Sequence, residues 1–293
     1  LEKIRKNKKV IAVFLIPAVL IYLCFELIPV VMSVYFSFND WPGLQAVPLK
    51  FVGFKNYSNL FHNAVFLKSL QNVLIYVVVS VILQVPIGFG LGLLIHHFKK
   101  GQRFFKAAFF IPMILSVTAV ALLWNFIYFP TDKGILNSLL IKIGLGNYIQ
   151  QWLVNPKTSL ICLIVVSTWT SVGYYMIICL AGLTSIPDSV LEAGELDGAT
   201  GWKKIWNLYI PMLWEPLKMS TIMVITGVLK IFDTVYILTP TGGTSNCTIV
   251  PALLMYNEAY RYGHYGTGSA IATVIFVLSA AVSIFRLDRK SVV

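Results

Sequence analysis

The sequence predicts an all-α polytopic membrane protein, a six-helix bundle that crosses the bilayer six times. Two observations carry that expectation. The first is composition: of 293 residues, 57% are hydrophobic and only 12% charged, with a mean hydropathy of +0.78. A soluble domain carries about 25% charged residues, so water is not the main solvent of this chain. The second is the recurrence of long apolar runs. A hydrocarbon core about 30 Å thick needs roughly 20 apolar residues per helical crossing. Runs of that length fall at about 10–36, 71–95, 104–128, 159–183, 213–238 and 265–285. With their loops they use the whole length, so no separate soluble domain is expected.

Each element has its own justification. The run at 10–36 is too long for a signal-peptide core and lacks a small-residue cleavage site, so it reads as a retained helix. Pro17, Pro29, Pro86 and Pro112 lie inside spans, where neighbouring helices and waters recover the freed carbonyls. Gly88, Gly90 and Gly92 in the second span suit close helix packing. The outer loops, roughly 37–70, 129–158 and 239–264, contain the amphipathic stretches Tyr57–Phe66 and Ile135–Ile143, which read as small surface helices. Cys24, Cys162, Cys179 and Cys247 show no CxxC spacing, so neither a metal site nor a disulfide framework is expected, and they read as small apolar residues.

The formal charge is +11, but the cations cluster at the ends of apolar runs instead of forming a basic face, which argues against nucleic acid. Counted by loop, 14 Lys and Arg lie on the side holding residues 1–9, 96–106, 184–210 and the stretch after Phe285; 7 lie on the other. The richer side is expected to be cytoplasmic, with both termini inside. Residues 1–9 and 287–293 are then cytoplasmic tails flanking a transmembrane domain over 10–286. Tyr35, Phe36, Trp41, Phe126, Tyr128, Phe129 and Trp152 near span ends fit an interfacial aromatic belt.

The inner segment 184–211 stands apart. Asp188 is expected to cap a short helix that carries Glu192 and Glu195 near its positive end. Gly198 is expected to end it, and a second short helix to stop at Pro211. Two amphipathic helices are more than a connection between spans requires. The order Glu192-Ala193-Gly194, three residues, Gly198, nine residues, Leu208-Tyr209-Ile210-Pro211 resembles the EAA loop of binding-protein-dependent ABC importer permeases, whose pattern is E-A-A, three residues, G, nine residues, I-x-L-P. Gly194 replaces the second alanine. Leu196-Asp197-Gly198-Ala199, Phe232-Asp233 with Leu238-Thr239, Phe51 to Tyr57 and Tyr265-Gly266 resemble the carbohydrate branch, the MalF/UgpA-like sugar permeases.

The resemblance implies that this EAA coupling helix docks on a cytoplasmic ATPase through Glu192, Ala193, Gly194, Asp197 and Gly198, the small residues allowing close approach and Glu192 offering a charge. It implies a second homologous permease, two ATPase subunits and an extracytoplasmic sugar-binding protein as partners, in a bacterial cell membrane. ATP and magnesium belong to the ATPases, so this chain is expected to hold no cofactor and no catalytic residue. Charged groups inside a bilayer are functional candidates by default. Lys230 and Asp233, three apart, are expected to share one helical face and to form either a structural pair or a substrate contact. In the fourth span Ser171 and Tyr174 fall where the maltose-type pattern puts sugar contacts, with Tyr175 or Trp169 as a stacking platform. A permease for a peptide or glycerol phosphate stays open as an alternative, as does an ion-coupled secondary transporter, although no internal repeat favours the latter. His62, His96, His97 and His264 lie in loops or at span ends without an HExxH pattern, against an intramembrane enzyme.

Overall fold

A computed structural model describes residues 8–44, 46–98 and 100–284, with the side chains of 8–12 and 14 left aside. The predicted tails fall outside these residues except for positions 8 and 9. The chain divides into two compact units, residues 1–64 with 254–277, and residues 65–253 with 278–293. Among the described residues, four helices are long and apolar enough to cross a membrane: Leu15–Ser37, Ala64–His97, Ser159–Thr184 and Tyr265–Ile284. Two sharply bent pairs raise the number to six if each pair is one span.

In the first unit, α1 (Lys8–Tyr22) and α2 (Ile28–Ser37) are joined by a π-helical turn over Leu23–Leu27. A short hairpin follows, β1 (Asn39–Asp40) pairing antiparallel with β2 (Lys50–Phe51), and then α3 (Lys55–His62). The Asn56 side-chain amide donates to the carbonyls of Ser37 (2.8 Å) and Asn39 (3.0 Å), and the Ser37 hydroxyl meets the Tyr57 hydroxyl at 2.6 Å. Gly266, near the start of the last helix, lies so close to Asn39 that a Cβ would strike its carbonyl, and its N–H donates to Trp41. The outer-loop motif and Tyr265-Gly266, distant in sequence, are therefore two sides of one packed corner.

The second unit begins with α4 (Ala64–His97), α5 (Gln102–Ile114), α6 (Val117–Ile127) and α7 (Ile135–Lys142). It continues with α8 (Ser159–Thr184), α9 (Asp188–Leu196), α10 (Trp202–Lys204), a π-helical turn (Ile205–Tyr209), α11 (Ile210–Met212), α12 (Trp214–Leu229) and α13 (Asp233–Leu238). Helix α14 (Pro251–Tyr256) crosses the unit boundary, and α15 (Tyr265–Ile284) is the last described helix. One face of α4 carries Asn72, Tyr76, Ser80, Gln84, Gly88 and Gly92, all buried. Their spacing of four keeps them on one slowly turning stripe. Tyr76 donates to the carbonyl of Leu163 (2.8 Å) and to the Ser167 hydroxyl (3.0 Å) on α8. A Cβ at Gly88 would lie 2.8 Å from Cβ of Tyr175 and one at Gly92 3.3 Å from Cβ of Cys179, so these two glycines serve packing as expected, whereas Gly90 faces open space. Cys162, Cys179 and Cys247 are buried free thiols, while Cys24 is exposed.

Two expected spans are not continuous. The run 104–128 breaks between α5 and α6, which meet at 97°. Leu115 and Ser116 are extended there, and the Ser116 side chain accepts from the Ala119 N–H, so a serine cap starts a new helix where apolarity alone suggested continuation. The run 213–238 breaks between α12 and α13, because Lys230 closes α12 through a bond to the Gly227 carbonyl and Phe232 is non-helical. A second bend, of 73°, falls at Leu213. The inner segment thus runs through Pro211 to Met212 instead of stopping at the proline, which lies in α11, directly after the π-helical turn over Ile205–Tyr209.

Candidate functional site

The segment after α8 is anchored by its own apolar residues. Leu183, Ile186, Tyr209 and Leu213 form a buried cluster, and Val190 and Leu191 of α9 pack against it. That fixes which face of α9 looks outward: Glu192, Ala193 and Leu196 are exposed, Leu196 to 90%. Asp188 does not cap the helix as expected. Pro187 holds the cap position, with no side-chain cap bond, and Asp188 is the first helical residue, still near the positive end of the dipole. At the other end the N–H of Ala199 bonds the Gly194 carbonyl (2.9 Å) and that of Gly198 bonds the Glu195 carbonyl (3.0 Å), a Schellman ending. Gly198, at φ +79°, supplies the left-handed residue that this ending requires.

Gly194 points inward. A Cβ there would lie 3.2 Å from the end of the Leu208 side chain, so this position packs against the following π-helical turn. Lys204 donates to Glu195 at 2.6 Å and lies over the Tyr209 ring, fastening α10 to α9. This bond to Glu195 holds the Lys204 ammonium above its ordinary pKa. Glu192 and Asp197 make no ion pair among the described residues. The result is a two-helix knuckle that exposes Glu192 and Leu196 on the face of α9 turned away from the buried cluster.

A second site lies in the helices of the same unit. A cavity of about 250 Å³ is bounded by Gln84 of α4, by Leu115 and Val117 on either side of the first break, by Ser167, Thr170, Ser171 and Tyr175 of α8, and by Gly227, Ile231 and Thr234 around the second break. Irregular backbone at membrane depth is tolerated where it is buried in protein or lines a cavity, and both breaks do so here. Ser167 and Thr170 return their hydroxyls to α8 carbonyls. Gln84, Ser171 and Thr234 have no hydrogen-bond partner among the described residues, although Gln84 is only 2% exposed. No carboxylate, ammonium, guanidinium or imidazole lines the cavity.

Of the sequence candidates, Ser171 and Tyr175 line this cavity and Tyr174 does not; its hydroxyl sits 3.9 Å from the Met223 sulfur. The expectation that Lys230 and Asp233 share a helical face is overturned. They flank the break in the backbone, both are exposed, neither lines the cavity, and no ion pair joins them among the described residues. Sequence reading missed Gln84, Ser167 and Thr234. The four-residue spacing of polar and small side chains along α4 was the signal for Gln84. No group of three His, Cys, Asp or Glu able to hold a metal occurs among the described residues.

The family described as binding-protein-dependent transport system inner membrane component matches residues 84–290. The chain is 36% identical over 287 residues to the probable ABC transporter permease protein YurN of Bacillus subtilis, covering 97% of each. It is 32% identical over 274 residues to the lactose transport system permease protein LacF of Rhizobium radiobacter, covering 93% of this chain and 90% of that one. Its fold is shared with a chain of a bacterial ABC transporter involved in the import of the acidic polysaccharide alginate, at a TM-score of 0.84 and 22% identity, covering 100% of this chain and 99% of the other.

Proposed function

The chain belongs to the family of inner membrane components of binding-protein-dependent transport systems, and from that premise we propose that it is the permease subunit of an ATP-driven importer for a sugar or oligosaccharide. Its role is transport, not catalysis. The solute arrives on an extracytoplasmic binding protein, enters the cavity of this chain or its counterpart in a second permease, and is released inward by alternating access. Two cytoplasmic ATPase subunits bind and hydrolyse magnesium ATP. Glu192, Ala193 and Leu196 form the face of α9 that meets one of them, and both termini lie on that side of a bacterial cell membrane. Asp197 and Gly198 shape the end of that helix, and Gly194 seats it on Leu208.

The observation that carries the sugar reading is the chemistry of the cavity. Its polar groups are hydroxyls and an amide with no ionised side chain among them, which suits a solute rich in hydroxyls. The lactose permease of Rhizobium radiobacter supports the same class. A peptide or a glycerol phosphate would bring charges for which this lining has no partner. The test is to purify the tagged chain from its own cells in mild detergent. A second permease and an ATPase should come with it, and ATP turnover in liposomes should rise when the binding protein is loaded with a saccharide from a panel. Copurification without an ATPase would remove the importer reading. Stimulation by a peptide or glycerol 3-phosphate, with none by any saccharide, would remove the sugar.

A further inference from the structure

Gln84 brings an amide without a partner among the described residues to the wall of the cavity. An amide offers two donors and a carbonyl oxygen with two lone pairs. Buried polar side chains are almost always paired, because an unmet group in an apolar surrounding is costly. Gln84 is 2% exposed, lies in the middle of an apolar helix, and has no hydrogen-bond partner among the described residues. The surface it retains belongs to the cavity. Two hydroxyls in the same lining, Ser171 on α8 and Thr234 on α13, are partly exposed and also lack a hydrogen-bond partner among the described residues. These three groups come from three separate helices, and the two breaks leave room between them.

We propose that Gln84 is a specificity-determining residue of the transport path, reading paired hydroxyls of an uncharged saccharide with Ser171 and Thr234 beside it. This rests on the sugar reading above and adds to it the class of sugar and the residue that selects it. A pair of neighbouring sugar hydroxyls donates and accepts at once, as a carboxamide does, so one amide can hold two of them. The ring of Tyr175 supplies an apolar face for the sugar's C–H surface. At about 250 Å³ the space is below the usual 300–1,000 Å³ of drug-sized pockets. It therefore admits a short piece of a saccharide at a time. With no cation in the lining, a uronate would lose its hydration without finding a counter-charge. Acidic sugars are excluded on that ground.

The test uses the whole assembly in liposomes, with the binding protein outside and uptake followed for lactose, maltotriose and raffinose against trigalacturonate. Gln84→Leu should raise the half-saturating level of the transported neutral saccharide about three- to tenfold, the worth of one or two hydrogen bonds. Gln84→Asn, which keeps the amide on a shorter stem, should recover part of that loss and guards against a misfolded leucine variant. Ser80→Ala, one turn away on the same stripe of α4, also buried and unpaired but not in the lining, should leave uptake unchanged. Wild-type half-saturation in Gln84→Leu would overturn the inference, since it would mean that water alone meets the amide. So would equal losses in Gln84→Leu and Ser80→Ala, or preferred uptake of trigalacturonate. If the wild-type assembly carries none of the saccharides, the sugar reading falls and takes this inference with it.

Discussion

In the segment from Asp188 to Met212 the carboxylates stand outside, and a few apolar side chains hold the backbone in place. Glu192 and Asp197 are exposed, while Val190 and Leu191 are gripped by the cluster around Leu183 and Tyr209. Around the cavity the arrangement is reversed. Polar atoms point inward, none is ionised, and the room for them comes from broken helices. A surface that must meet a protein in water can afford charge, because water solvates it until the partner arrives. Charge inside hydrocarbon is costly unless it is paired or wet, and the lining of this cavity among the described residues is neutral. On the function proposed above, the same unit separates the receipt of force from the handling of solute by the dielectric each works in.

The sharpest way to break that contrast is charge reversal on the outer face. Glu192→Lys should leave membrane insertion intact and lower ATP-coupled uptake at least 30-fold, because burying a wrong charge at a protein interface costs about 2–5 kcal/mol. ATPase copurification should fall with it. Unchanged uptake would show that the exposed carboxylate is not where force enters.

Next in size is a packing change that spares both sites. Gly173 of α8 lies directly against the backbone of α5, where any Cβ would collide with the Phe109 carbonyl. Gly173→Val should destabilise the detergent-solubilised protein by about 1–3 kcal/mol, the usual cost of overpacking, and lower its unfolding midpoint. A stable variant would mean that α5 can move away, and that the wall carrying the first break is softer than the geometry implies.

How legible the two regions were in the sequence follows from the same physics. The knuckle was readable in part because its residues recur at fixed spacing along short helices. Glu192 on a short helix and Gly198 at its end could be placed before any coordinates, whereas Pro211 did not end the second helix. The role of Gly194 was not readable, since only the fold shows that it faces Leu208. The spans at 71–95, 159–183 and 265–285 were found from apolarity, which measures the solvent around a helix and says nothing of whether it is continuous. Ser116 and Lys230 end their helices through local hydrogen bonds inside apolar runs. Lys230 and Asp233 drew attention by charge, yet they stand outside the cavity, while Gln84 passed as one polar residue in an apolar run.

Between Gly194 and Gly198 the contrast can be made finer. Gly198 is left-handed with nothing near its Cβ position, so Gly198→Ala should cost about 1–2 kcal/mol through backbone strain alone. Gly194→Ala meets only the flexible end of Leu208 and gains up to about 1 kcal/mol of helix propensity, so it should be neutral or slightly stabilising. Thermal unfolding of the two variants side by side checks both signs.

The smallest effect concerns the fastening between α9 and α10. Lys204 is held above its ordinary pKa of 10.5 chiefly by its hydrogen bond to Glu195. A lysine whose folded pKa is raised contributes stability that is fully present below the unfolded value, near 10.4, and is lost as pH rises through the folded one. Glu195 is half exposed, so the pair should be worth under about 1 kcal/mol and should weaken with salt. Lys204→Met keeps most of the apolar stem beside Tyr209 and removes only the charge. Its deficit in unfolding free energy should therefore stay flat from pH 7 to 9 and shrink only above about pH 10.5. A deficit that instead changes between pH 5 and 7 would put a different titrating group in charge of the knuckle. The segment from Asp188 to Met212 would then be set by a pH-sensitive contact that the Lys204–Glu195 bond does not describe.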